Sequence, residues 1–119
     1  MADSYEDLVS EAKTETEQTD ADTVHDALVC GEDITIVDVR EPDEYEEAHL
    51  PEAKHIPRGM LELRAAEELP DKKDRIVTHC AAGGRGSLAA KSLQQVGYTN
   101  VANMEGGPNA WRERGYETE

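Results

Sequence analysis

The residues most able to do chemistry lie in one short loop, Cys80 to Ser87, with the sequence Cys-Ala-Ala-Gly-Gly-Arg-Gly-Ser. An apolar run over residues 75–79 precedes the loop and predicts a buried strand, and residues 87–96 predict a helix. Because three glycines and two alanines remove side-chain bulk, the backbone can curl until successive N–H groups point inward. The following helix adds the positive end of its dipole. The loop is therefore predicted to hold an anion.

A single cysteine at the edge of such a loop has two interpretations. Cys80 could be a small buried apolar residue, as lone cysteines commonly are. Alternatively, the inward N–H groups would stabilise its thiolate, which is the form of cysteine that acts as a nucleophile. The position of the loop after a sheet strand, where open α/β folds place their active sites, favours the nucleophile.

The distribution of charge points to the same loop. Aspartate and glutamate account for 27 of the 119 residues, yet none occurs from Arg75 to Met104. At the average frequency a stretch of that length would hold about seven acids. Part of the depletion reflects buried strands, but the loop itself is expected to be exposed and lacks acids too. An acid-free region that contains Arg85 and Lys91 favours a site for anions.

Strand and helix patterns alternate along the chain. Runs rich in β-branched or apolar residues predict strands at 34–39, 54–56, 75–79 and 101–104. Helical spacing predicts helices from a cap at Asp20 or Asp22 to Leu28, at 60–69, at 87–96 and around Trp111. Residues 43–48 are predicted to form an acidic turn. This alternation is typical of an α/β domain with a parallel sheet and helices on both faces.

Composition and charge argue against several classes of protein. The chain has 119 residues, of which 37% are apolar, enough for one compact domain but not for two. No apolar run reaches the roughly 20 residues of a membrane-spanning helix, and none follows Met1 as a secretory signal would require. We therefore expect a cytoplasmic protein. The net charge of −15 would repel nucleic acids and anionic membranes, so neither is expected as a partner.

The amino-terminal residues are interpreted as a separate acidic segment. The spacing of Tyr5, Leu8, Val9 and Ala12 fits one face of a short helix. Since this apolar face is small, the segment is expected to dock weakly or not at all. We predict an acidic segment at residues 1–17 and the folded domain at residues 18–119.

The acidity also predicts adaptation to concentrated salt, and it favours a halophilic archaeon as the source. At molar ionic strength the Debye length is only about 3 Å, which screens much of the repulsion among the acidic side chains. We expect the melting temperature, followed by circular dichroism, to rise between dilute buffer and molar potassium chloride. A melting temperature that does not rise would contradict the hypothesis.

Five motifs together resemble single-domain members of the rhodanese family, which are sulfurtransferases. They are Asp38-Val39-Arg40-Glu41-Pro42-Asp43-Glu44-Tyr45, His49-Leu50-Pro51, Ala53 to Pro57, Cys80-x-x-Gly83-x-Arg85, and Met104-Glu105-Gly106-Gly107 with Ala110-Trp111. Each motif is weak alone, but five in the family's order make the resemblance specific. It implies a three-layer α/β fold with a central parallel sheet of about five strands.

The resemblance also implies a mechanism and a set of site residues. In this family a cysteine takes the outer sulfur of a donor such as thiosulfate, becomes a persulfide, and passes that sulfur to cyanide, a thiol or a sulfur-carrier protein. Cys80 is then the catalytic residue. Substrate binding is implied for Ala81, Ala82, Gly83, Gly84 and Arg85, and a supporting role for Asp38, Arg40, Arg58, Gly86 and Ser87. No cofactor or metal is implied, and a monomer or a weak dimer is expected.

The chain departs from the family pattern in two places. Gly86 follows the loop arginine, whereas family members commonly carry Ser or Thr at this position. A hydroxyl contact from this position to substrate is therefore not available here. Ala81 and Ala82 replace the polar residues that are common in thiosulfate-selective members. The donor could therefore be thiosulfate or a persulfide.

Three alternatives stand beside a sulfurtransferase. A non-catalytic rhodanese-like module for binding or sensing would often lack the cysteine, so Cys80, Gly83 and Arg85 favour an enzyme. Cysteine-dependent phosphatases and arsenate reductases need five residues between cysteine and arginine, whereas four separate Cys80 from Arg85. The four histidines include no close ligand pair for a metal. Cys30 is expected to be a small buried residue rather than a second reactive thiol.

Overall fold

The computed structural model describes residues 4–81 and 84–119, in which helices and strands alternate. The strands are β1 (Glu17–Thr19), β2 (Ile34–Asp38), β3 (Lys54–His55), β4 (Arg75–His79) and β5 (Val101–Met104). The helices are α1 (Tyr5–Glu15), α2 (Ala21–Val29), α3 (Pro42–Glu47), α4 (Leu61–Glu68), α5 (Gly84–Gln95) and α6 (Gly107–Glu113). A 3₁₀ turn at Arg58–Met60 leads into α4.

Within the described residues the five strands form one parallel sheet in the order β1-β5-β4-β2-β3. In the register of β2 with β4, Ile34 pairs with Arg75 at one end and Asp38 with His79 at the other. Because the strands are parallel, all their carboxyl ends lie at the same edge of the sheet. The predicted α/β fold with a parallel sheet of about five strands is confirmed.

Both faces of the sheet are covered, which explains why β4 and β5 are buried along almost their whole length. On one face α4 and α5 bury a cluster that includes Val37, Ile76 and Leu93. On the other face α2 and α6 bury a second cluster around Met104 and Trp111. The indole N–H of Trp111 donates to the carbonyl of Glu117, 2.7 Å away, so this buried ring also fixes the chain that follows α6.

The amino-terminal segment forms a helix that packs against α5. Ser4 caps α1 by accepting from the Asp7 backbone N–H, and Ala12 is fully buried. Glu15 forms an ion pair of 2.9 Å with Lys91 of α5. The segment that was expected to dock weakly or not at all is therefore packed on the domain, while the boundary between residues 17 and 18 stays a prediction.

The predicted acidic turn at residues 43–48 is wrong, because residues 43–47 belong to helix α3 and Ala48 is its C-cap. Pro42 occupies the start of the helix, where a missing backbone N–H has no consequence. The Glu44 carboxylate accepts from the Glu41 backbone N–H at 2.9 Å and closes the first turn. A six-residue helix is too short to show apolar periodicity. Only the capping residues Glu41, Pro42 and Glu44 could have indicated this helix in the sequence.

Candidate active site

Cys80 follows β4 directly and lies at the carboxyl edge of the sheet. Its strand lies between β2 and β5, which places the cysteine near the middle of that edge. Cys80 is only 1% exposed and belongs to the apolar cluster that contains Val39, Ile56 and Ala89. The loop was expected to be exposed, but its sulfur-bearing residue is buried, and Ala81, Gly84 and Arg85 are only partly exposed.

Helix α1 lies against the start of α5, which follows the Cys80 loop. The predicted substrate-binding residues Ala82 and Gly83 lie outside the described residues. At Gly84, the first residue of α5, a Cβ atom would come within 2.5 Å of the Tyr5 hydroxyl and 3.4 Å of a Val9 methyl group. A larger residue at position 84 would therefore require the Tyr5 side chain to move. The helical spacing of Tyr5 and Val9 in the sequence gave no indication that this face meets the loop.

Arg85 does not present a free guanidinium. Its Nη1 donates to Glu44 Oε1 at 2.8 Å and its Nη2 to Glu44 Oε2 at 3.2 Å. The hydrogen bonds from Arg85 lower the pKa of Glu44 to about 2. The pKa of Arg85 is raised, mainly by Glu44 and to a smaller extent by the charge of Cys80. Arg85 is therefore electrostatically coupled both to the loop sulfur and to α3.

The second glycine of the Gly106-Gly107 motif lies against the backbone of Cys80. Gly107 has φ 51°, in the left-handed region, and a Cβ at this position would overlap the carbonyl oxygen of Cys80. A side chain is thus excluded both by conformation and by space. Although they are 27 positions apart in the sequence, Gly107 and Cys80 pack directly against each other.

Asp38 and Arg40 form a buried ion pair beside the site. Arg40 Nε lies 2.9 Å from Asp38 Oδ1, Arg40 Nη2 lies 2.7 Å from Asp38 Oδ2, and the same Nη2 donates to the Ala48 carbonyl at 2.7 Å. Burial raises the pKa of Asp38, but hydrogen bonds from Arg40 outweigh it, so that the pKa lies below its ordinary value. The chain bends at Arg40. Both side chains are committed to holding the loop from β2 to α3.

His79 is a buried histidine whose charge the fold disfavours. It is 0% exposed, and neither ring nitrogen makes a normal hydrogen bond to a described residue. Burial lowers its pKa, although Asp38, 3.9 Å from Nε2, acts in the opposite direction. The folded protein therefore holds a neutral imidazole, whereas the unfolded chain accepts a proton at an ordinary pKa of 6.5.

The buried neutral His79 predicts loss of stability in mild acid. As the pH falls below about 6.5, the unfolded state binds a proton that the folded state resists, and the free energy of unfolding decreases by up to about 1.4 kcal/mol per pH unit. We expect His79→Leu to reduce this dependence of stability on pH. At about pH 8 its urea midpoint should be at least as high as that of wild type, because the substitution removes two buried nitrogens that lack hydrogen-bond partners. Urea titrations from about pH 8 to about pH 5 provide the measurement. Equal pH dependence in both proteins would contradict the assignment.

Gly86, which departs from the family pattern, is required by its neighbours. A Cβ at this position would overlap the Asn103 side-chain oxygen and lie 3.1 Å from the His79 Cα. Asn103 is buried in β5 and donates to Gln18 at 2.9 Å. The adjacent Ser87 is fully buried, with no hydrogen bond from its hydroxyl to a described residue. Gly86 therefore lets α5 approach β4 and β5 closely.

Two other predicted residues lie away from the loop. Arg58 donates to Glu62 at 3.0 Å and to Ser92, two turns into α5, at 2.8 Å, so it connects the 3₁₀ turn to two helices. Cys30, predicted to be buried, is exposed, because α2 ends at Val29 and leaves Cys30 as its cap. It lines a cavity of about 320 Å³ together with Arg75 at the amino edge of the sheet. The described residues include no group of three His, Cys, Asp or Glu side chains placed to bind a metal.

The comparisons with known proteins agree with this architecture. The profile described as "Rhodanese-like domain" matches residues 20–114, and the chain belongs to the rhodanese-like domain family. A sulfurtransferase of Allochromatium vinosum is 33% identical over 98 residues, which are 82% of this chain and 90% of that protein. The chain is thus a family member with a sulfurtransferase among its relatives.

Two further relatives extend the comparison. YrkF of Bacillus subtilis, named as a candidate sulfur carrier protein, is 40% identical over 80 residues, which are 67% of this chain but only 42% of YrkF. Among solved structures, RPA3614 of Rhodopseudomonas palustris, described as a possible tyrosine phosphatase, superposes with a TM-score of 0.88 at 32% identity, covering 100% of this chain and 96% of that one. No helix within the described ranges is long and apolar enough to cross a membrane.

Proposed function

We propose that the protein is a sulfurtransferase that carries a sulfur atom on Cys80 as a persulfide. The observation that supports this function best is the position of Cys80. The residue lies between the carboxyl end of a central strand and a helix, with Arg85 close enough for its pKa to be raised by the charge of the sulfur. Open α/β sheets bind substrates at this edge.

The proposed reaction has two displacements at sulfur. The Cys80 thiolate attacks the outer sulfur of the donor, a new S–S bond forms, and the donor's S–S bond breaks with its electron pair leaving on sulfite or on a thiolate. An acceptor nucleophile, such as cyanide or a thiolate, then attacks the terminal sulfur and releases Cys80 as a thiolate. The electrons balance without an external oxidant, and neither step needs a general base.

The loop residues have separate roles in this proposal. Backbone N–H groups from Ala81 to Arg85 hold the negative charge of the thiolate and of the persulfide, and the amino end of α5 adds to that field. Asp38 and Arg40 hold the neighbouring loop, while Gly86 and Ser87 fit α5 against the sheet. Arg58 supports the site indirectly through its contact with α5.

The donor and the acceptor are proposed by class. The donor is a small sulfane-sulfur compound such as thiosulfate or a persulfide, and the acceptor is a thiol or a sulfur-carrier protein. The relatives named as a sulfurtransferase and as a candidate sulfur carrier protein support this choice. We also propose a cytoplasmic location, since a reducing compartment would keep both cysteines as thiols.

Mass spectrometry of the intact protein tests the function. After treatment with thiosulfate or polysulfide we expect an added mass of about 32 Da, the mass of one sulfur atom, removed by cyanide with formation of thiocyanate. Peptide mapping should place it on Cys80 and not on Cys30. A non-catalytic module would gain no such mass on Cys80, and hydrolysis of p-nitrophenyl phosphate with no sulfur transfer would favour the phosphatase alternative.

A further inference from the structure

The positive charge of Arg85, which would attract an anionic donor, is already balanced by Glu44 of α3. Both terminal nitrogens of Arg85 donate to the Glu44 carboxylate, at 2.8 and 3.2 Å, in the two-pronged arrangement that gives strong arginine–carboxylate pairs. Each of the two side chains is 31% exposed, so the pair lies partly sheltered at the protein surface. A donor that reaches the loop therefore meets a paired guanidinium.

Glu44 is held in place by its own helix as well as by Arg85. Its Oε1 also accepts from the Glu41 backbone N–H at 2.9 Å, which closes the first turn of α3. The next residue, Tyr45, anchors the helix through a hydrogen bond of 3.2 Å from its hydroxyl to the Ala53 carbonyl. The carboxylate is thus positioned both by the cap of its own helix and by Arg85.

Glu44 places a negative charge directly beside the Arg85 guanidinium. Because Arg85 lowers the pKa of Glu44 to about 2, this carboxylate is ionised at neutral pH. A neighbouring cavity of about 130 Å³ is lined by Glu44, Glu47, Arg40 and Arg112. Arg40 is itself committed to Asp38. Glu44 and Glu47 thus share this cavity with Arg40 and Arg112, and Glu44 also lies against Arg85 at the Cys80 loop.

We propose that Glu44 is a specificity-determining residue, which selects against dianionic inorganic donors such as thiosulfate and in favour of hydropersulfides of uncharged thiols. This inference rests on the proposed function, since it concerns the donor of the same Cys80 site. A dianion near the loop is repelled by Glu44 with twice the energy of a monoanion at the same distance. Donor choice then depends on a residue that lies 36 positions before the nucleophile.

Glu44→Gln tests the proposal, with Glu47→Gln as the matched control. Glutamine keeps an oxygen for Arg85 and for the Glu41 N–H, so the helix cap survives while one negative charge is lost. We expect the KM for thiosulfate to fall about ten-fold in Glu44→Gln and the KM for the hydropersulfide of 2-mercaptoethanol to change less than about two-fold. Glu47→Gln removes the same charge from the same cavity without unpairing Arg85, and should change both KM values less than about three-fold.

A second measurement does not require sulfur transfer. In a Cys30→Ser background, Cys80 is alkylated with neutral iodoacetamide or anionic iodoacetate, and the ratio of the two rates reports the local charge. We expect Glu44→Gln to raise the relative rate of iodoacetate about ten-fold, and Glu47→Gln to leave it within about three-fold. An unchanged ratio together with an unchanged KM for thiosulfate would overturn the role of Glu44. A changed ratio in a protein that transfers no sulfur would overturn the proposed function while supporting the charge effect.

Discussion

Cys80→Ser is expected to abolish sulfur transfer. A serine hydroxyl is a far weaker nucleophile than a thiolate and cannot form a persulfide, so turnover should fall at least about a thousand-fold, equivalent to roughly 4 kcal/mol of transition-state stabilisation. Steady-state assays with thiosulfate and with a hydropersulfide provide the measurement. The gain of one sulfur atom in the intact mass should disappear as well.

The second cysteine supplies the control. Cys30→Ser removes the other thiol of the chain at an exposed position, and both transfer and the mass gain should persist. Because Cys80 is buried in an apolar cluster, a serine hydroxyl there costs about 1–3 kcal/mol of folding free energy, so Cys80→Ala is measured beside it. Transfer by either folded Cys80 variant at the wild-type rate would rule out chemistry at this residue.

Gly107→Ala is expected to destabilise the fold strongly. The new methyl group would overlap the Cys80 carbonyl oxygen, and the residue would also adopt a left-handed conformation. Relief requires movement of α6 or of the loop, which we expect to cost at least about 3 kcal/mol and to lower the melting temperature by roughly 10 °C or more. Urea denaturation gives the change in the free energy of unfolding, and the KM for sulfur donors gives the effect on the loop.

Gly115→Ala separates the effect of the left-handed conformation from the effect of close packing. Gly115 also has a positive φ, 84°, but no atom lies within 4 Å of a Cβ at that position. Its substitution should cost about 1–2 kcal/mol for the left-handed conformation alone and leave sulfur transfer unchanged. If the two variants lost equal stability, close packing between Gly107 and Cys80 would not be the cause.

Those parts of the fold that depend on local pattern could be predicted from the sequence. The β-branched runs of β2 and β4 are unambiguous because these strands are buried on both faces. Asp20 accepts from the Thr23 backbone N–H at 2.8 Å, as its predicted capping role required. Strand β1 was missed, since Glu17, Gln18 and Thr19 show no apolar alternation and form a strand only by pairing with β5.

In the candidate site, too, local features could be predicted from the sequence and long-range contacts could not. The spacing from Cys80 to Arg85 and the glycines of the loop are local features, so they could be identified without a structure. The contacts of Arg85 with Glu44, of Gly84 with Tyr5 and of Cys80 with Gly107 join distant parts of the chain and leave no local signal. Those contacts determine the charge, the cover and the packing of the loop.

The two thiols are separated by the length of the sheet. Cys30 lines a cavity with Arg75, where β4 begins, and Cys80 follows His79, where β4 ends. Four steps of about 3.3 Å place the two ends of the strand about 13 Å apart, whereas a disulfide needs Cα atoms within about 7 Å. A persulfide on Cys80 therefore has no internal thiol to resolve it. Each protein molecule would store one sulfur atom until it collides with an acceptor, so the lifetime of the loaded state would be set by the supply of that second molecule.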